Sequence, residues 1–116
     1  IVEDNWDCLP IIKKNIESLG LKNCTFCPTQ AEKAIKDFHK HKRRFDIIFL
    51  DPPYYKGMSK KILQILCAYD ILAPNGFIII QHFKKDILPD EAGDLRLFRQ
   101  ARYGDTVLSF YRKCAK

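Results

Sequence analysis

FDIIFLDPPYYKG, residues 45–57, decides how this chain is read. Phe45 to Leu50 is a near-continuous apolar run, the pattern of a strand covered on both faces. It breaks abruptly into Asp51-Pro52-Pro53-Tyr54. Each proline fixes φ near about −65° and carries a carbonyl without a backbone donor. The residue before each proline is pushed into extended geometry. A stiff turn results, presenting acceptors at a strand end with an aromatic ring beside them.

Working outward, the flanking segments alternate. Ile1-Val2 reads as the end of a buried strand. A helix follows, capped near Asp4 or Asn5 and running to Gly20, with Leu9, Ile12, Ile16 and Leu19 on one face and Pro10 disturbing its first turn. CTFC, residues 24–27, reads as a short strand, and Pro28 to His39 as a helix with Ala31, Ala34, Ile35 and Phe38 inward. Met58 to Ile71 forms the next amphipathic helix, stopped by Pro74-Asn75-Gly76, and Phe77 to Ile80 a second buried strand. LFRQARY and TVLSFYR flank Gly104-Asp105, a pair suited to a tight hairpin turn. The order β-α-β-α-β-α-β plus hairpin predicts one α/β domain over residues 1–116, a mostly parallel sheet ending in an antiparallel hairpin.

Composition sets outer limits. The chain has 116 residues, 47% apolar and 29% charged, with no apolar run long enough to cross a bilayer. Five cysteines, an odd number without framework spacing, fit a reducing cytoplasm. A net charge of +6 favours a polyanionic partner such as nucleic acid. The basic run KAIKDFHKHKRR reads first as a solvated helix face and loop. Cys24 and Cys27 lack a second pair, His39 and His41 do not share a helical face, and no metal site is expected. His82 reads as a structural or substrate-contacting residue at a strand end.

In open α/β sheets ligands bind beyond the carboxyl ends of the strands, where Asp51 falls. An exocyclic amine on a nucleobase is a poor nucleophile because its lone pair is delocalised into the ring. A carboxylate and a carbonyl that accept both amine hydrogens localise that pair and stabilise the positive charge developing during attack on a methyl group. Tyr54 can stack on a base drawn out of its helix. The tetrad Asp51, Pro52, Pro53 and Tyr54 therefore reads as a catalytic motif for amine methylation.

At this point the sequence resembles the class I, Rossmann-like methyltransferases that use S-adenosyl-L-methionine, and among them the bacterial enzymes that methylate the guanine 2-amino group of 16S ribosomal RNA. The likeness runs from IVED through KKNIESLGL, QAEKAI, FDIIFLDPPY and GFIIIQH to ILPDEAGDLRL and RYGDTVLSFYR. It implies that Glu3 binds the cofactor's ribose hydroxyls, with Asp4 and Asn5 beside the adenine. Gln30 stands where the family often has an acid facing the adenine amine, with Ala31 next to it, and Gln81 stands where a glutamate is common. Asp51 is implied on both the cofactor and catalytic sides. Lys56, Lys60 and Lys61 follow the catalytic turn and are candidates for RNA phosphates. The implied partner is ribosomal RNA or the small ribosomal subunit.

The family's first strand and glycine-rich loop have no counterpart in this chain. It is therefore expected to form the C-terminal two-thirds of the domain and to catalyse poorly by itself. A first strand would lie between the strands ending at Val2 and Leu50; without it, unpaired sheet edges could support self-association. An adenine-N6 methyltransferase and a non-catalytic RNA-binding module of the same fold are the alternative readings.

Overall fold

The computed structural model describes residues 1–5, 7–25, 27–52 and 57–114. The elements are α1 (Leu9–Ser18), α2 (Ala31–Lys40), β1 (Phe45–Leu50), α3 (Met58–Ala68), β2 (Leu72–Phe83), β3 (Glu91–Ala92), β4 (Leu95–Tyr103) and β5 (Thr106–Lys113). The strands form one sheet in the order β1-β2-β5-β4-β3. Among the described residues no helix is long and apolar enough to cross a membrane.

The apolar run of β1 pairs in parallel with β2, Ile47 to Leu50 against Phe77 to Ile80, with α3 as the crossover. β2 then pairs antiparallel with β5, and β5 with β4 across the Gly104 turn, where φ is +61°. The α/β class stands, but the sheet is more antiparallel than expected. After β2 the chain makes no further crossover helix; it turns back through β3 and the hairpin.

Period-two alternation puts Ile78, Ile80 and His82 of β2 on one face, opposite Tyr111, Ser109 and Val107 of β5. This face meets α3, and Leu63, Ile80 and Tyr111 are fully buried there. The Tyr111 hydroxyl donates to the Pro89 carbonyl at 2.6 Å, pinning the loop before β3. Burial, helped by Asp90, pushes its phenol up to about 12, so it stays a donor at neutral pH. On the other face Ile47, Phe49, Phe98 and Tyr103 are exposed.

Several boundaries differ from the sequence expectation. α1 begins at Leu9, because Pro10 fits only a first turn, where its missing N–H would be unpaired anyway. Among the described residues CTFC forms one parallel bridge, Val2 with Cys27, and pairs with no strand of the main sheet. α2 starts at Ala31 rather than Pro28, since Gln30 is an extended N-cap. α3 ends at Ala68, and β2 starts at Leu72 and passes through Pro74-Asn75-Gly76. The register absorbs that insertion: Phe45 pairs with Leu72 and Ile47 with Phe77, so five steps on β2 face two on β1.

Gly76 makes this bulge possible. A Cβ there would lie 2.6 Å from the Asp46 carbonyl oxygen and 2.8 Å from Leu72 Cδ1. Gly76→Ala should therefore lower stability by about 1–3 kcal/mol, read as a reduced urea midpoint. An unchanged midpoint would mean that the strands separate without cost.

Asp70 ties the start of β2 to the end of β5. It accepts from Lys113 Nζ at 2.9 Å, Arg44 Nη1 at 3.3 Å and the Leu72 amide at 3.2 Å. Burial pushes its carboxyl up, but the Lys113 and Leu72 hydrogen bonds and the charges of Lys113 and Arg44 outweigh it and hold it below the usual carboxylate range. A depressed native value contributes stability above the unfolded value of about 3.9, and that stability is lost as pH falls through the native value. Wild type should exceed Asp70→Asn in urea midpoint at neutral pH, and the gap should close on acidification below about pH 4. A gap constant with pH would contradict this.

Candidate active site

Leu50 of β1 lies beside Ile80 of β2 in parallel register, so Asp51 and Gln81 follow at one level, and Glu3, next to the Val2–Cys27 bridge, lines the same groove. β1 closes the sheet on this side, its outer edge unpaired among the described residues. Between that edge and the Val2–Cys27 bridge runs a groove of about 760 Å³. The exposed side chains of Ile47 and Phe49 and the inner face of α2, Ala31, Ala34 and Ile35, form its apolar walls. Glu3, Asp4 and Thr29 stand at one part of the rim, and Asp51, Pro52 and Gln81 at another. The groove lies where the sequence comparison of strands left room for a further strand.

Glu3 is held in place by its own neighbours. Its backbone amide donates to the Cys27 carbonyl at 3.2 Å, and Cys27 donates back to Ile1 at 2.8 Å. One carboxylate oxygen, Oε1, accepts from the amides of Asp4 at 3.2 Å and Asn5 at 3.0 Å. Glu3 thus caps its own loop with one oxygen, and its other oxygen has no partner among the described residues. Asn5 is spent as well, accepting from the Asp7 amide at 2.9 Å in the turn before α1.

Asp51 is exposed and has no side-chain partner among the described residues, while Pro52 beside it is buried. The turn thus leaves an acid free and anchors the proline that follows it. Pro53, Tyr54 and Lys56 lie outside the described residues. Of the cofactor candidates, Glu3, Asp4, Ala31 and Asp51 share the groove; Gln30 is exposed at the α2 N-cap and is not part of its lining. Thr29 joins the rim without having been singled out in the sequence, where it was read as part of a helix from Pro28, whereas α2 starts only at Ala31.

Lys60 and Lys61 are exposed in the first turn of α3, just after the Asp51 turn. Cations at a helix N-terminus oppose the macrodipole at a cost of about 0.3–1 kcal/mol, so helix stability does not explain them. The longer basic run is used differently. Lys36 pairs with Glu32 and lies over Tyr69, Arg43 lies over Phe38 and Phe45, and Arg44 pairs with Asp70. Arg43 and Arg44 also precede β1, a strand length of roughly 20 Å from Asp51.

His82 is buried and structural. Nδ1 faces the Phe83 carbonyl at 3.1 Å, so it carries the proton, and Nε2 accepts from the Ser109 hydroxyl at 2.7 Å. Gln100 Nε2 donates to the same hydroxyl at 3.0 Å, which ties β2, β5 and β4 together below the site.

The chain is similar to several known proteins over most of its length. "Putative rRNA methyltransferase YlbH" of Bacillus subtilis is 33% identical over 113 residues, 97% of this chain and 61% of that protein. "Ribosomal RNA small subunit methyltransferase D" of Buchnera aphidicola is 35% identical over 74 residues, 64% of this chain and 38% of that protein. The chain therefore spans less than two-thirds of the length of either relative. A solved conserved hypothetical protein of Streptococcus pyogenes superposes with a TM-score of 0.81 at 30% identity, over 95% of this chain and 68% of that one. A solved methyltransferase complexed with SAH superposes at 0.68 and 20% identity, over 95% of this chain and 38% of that one, which shows a shared fold. A family model spans residues 1–112, from the Val2 segment that edges the groove to β5, and by that match the chain belongs to the family described as Conserved hypothetical protein 95.

Proposed function

We propose that the protein carrying this chain methylates an exocyclic base amine in small-subunit ribosomal RNA, at guanine N2, with S-adenosyl-L-methionine as the methyl donor. The observation that carries this reading is the unpartnered Asp51 on the rim of a groove that also holds Glu3. The names of the two curated relatives support the substrate class.

The rim of the groove suits the cofactor in chemistry. The free oxygen of Glu3 can accept from a ribose hydroxyl, and the apolar walls of Ala31 and Ile35 suit a planar base. The cofactor, when bound, supplies an activated methyl group. Asp51 and the Pro52 carbonyl accept the two amine hydrogens and turn the nitrogen lone pair outward. Asp51 is exposed, so the proton lost after transfer can leave to water from there. Pro53 stiffens the turn and Tyr54 stacks on the base in this reading. Lys60 and Lys61, with Lys56 before them, meet phosphates flanking the target.

The test is transfer of labelled methyl to unmodified small-subunit RNA by the complete gene product, followed by nucleoside analysis. Label in N2-methylguanosine is expected. Asp51→Ala should lower kcat by about 10²–10³-fold while S-adenosylhomocysteine still binds. Label confined to N6-methyladenosine would replace guanine by adenine. RNA binding without any transfer would replace the enzyme by a binding module.

A further inference from the structure

Gln81 is a half-buried polar side chain on the groove rim. The parallel register places Leu50 beside Ile80, so Gln81 follows at the level of Asp51 on the adjacent strand, about 5 Å away between backbones. Both residues line the groove. On β5 its neighbour is Leu108, and the residue two before it on its own face is Ile79. These apolar neighbours offer an amide nothing, and its carboxamide has no partner among the described residues. The amide is left to solvent until a ligand covers it, and that ligand must then supply its hydrogen bonds.

We propose that Gln81 reads the ring edge of the target base next to the amine held by Asp51, and so selects guanine over adenine. The inference rests on the functional reading above. A carboxamide offers one acceptor and one donor side by side. Guanine presents its N1–H donor next to the 2-amino group and its O6 acceptor beyond it. Gln81 Oε1 accepts from N1–H and Nε2 donates to O6, while Asp51 and the Pro52 carbonyl keep the amine. Adenine carries a bare N1 acceptor next to its 6-amino group and no second acceptor beyond, so the same amide makes one bond at most. A bidentate contact of this kind discriminates by about tenfold to a hundredfold.

The test uses the complete gene product with Gln81→Met and Gln81→Glu, each checked for an unchanged thermal midpoint. Gln81→Met keeps the volume and removes both bonds; kcat/KM for small-subunit RNA should fall about tenfold to a hundredfold. The affinity for S-adenosylhomocysteine should stay within about twofold by calorimetry, since the contact is to the base. Gln81→Glu supplies the second readout. A carboxylate keeps the acceptor for N1–H, the donor adenine lacks, and loses only the bond to O6. Gln81→Glu should therefore keep more of the wild-type kcat/KM than Gln81→Met, at equal thermal midpoints.

Unchanged kcat/KM in Gln81→Met, or a loss matched by weaker S-adenosylhomocysteine binding, overturns the inference and leaves the methyltransferase reading standing. No transfer by the unaltered protein overturns that reading, and this inference with it. Gln81→Met failing the thermal check is replaced by Gln81→Leu under the same criteria.

Discussion

Everything at the candidate site depends on the parallel pairing of β1 with β2. Ile47 to Leu50 lie in register with Phe77 to Ile80, and each run is followed by a polar residue, Asp51 at the end of β1 and Gln81 within β2, which continues to Phe83. The parallel register brings these two residues, thirty positions apart in sequence, to one rim. The register is held from below by the alternation of Ile78 and Ile80 against α3, where a slip of one residue would turn the apolar set outward.

The second constraint is local. Glu3 is fixed by the Val2–Cys27 bridge and by amides of its own loop, so the acid reaches the groove without any strand of the main sheet beside it. Between these two anchored ends lies the unpaired edge of β1, with Ile47 and Phe49 exposed along it. A parallel strand with open backbone groups and apolar side chains on that edge is a surface that favours being covered. On the opposite flank the His82–Ser109–Gln100 chain of hydrogen bonds joins three strands and keeps the end of β2 in place.

Much of this was legible in the residues. FDIIFL became β1 with its limits intact, because a short apolar run with an acid and two prolines after it has few other solutions. The Gly104-Asp105 turn and its two strands were equally plain from alternation about a glycine. The reading failed where secondary structure is decided by partners. CTFC has strand-like residues but pairs at a single bridge. Pro74-Asn75-Gly76 reads as a stop, yet the chain carries it as a bulge because Gly76 lets Asp46 pass within reach of its Cα. β3 is two residues long and has no pattern of its own.

The sequence by itself determined the α/β class and the end of β1 before Asp51-Pro52, since strand periodicity and proline geometry are properties of neighbouring residues. Only the tertiary structure decided that Gln81 stands beside Asp51 and that Thr29 joins the rim. It alone showed that Gln30 stays outside the lining and that Glu3 spends one oxygen on its own loop. Those facts depend on sheet register and loop hydrogen bonds, which join residues distant in the chain and leave no local trace in it.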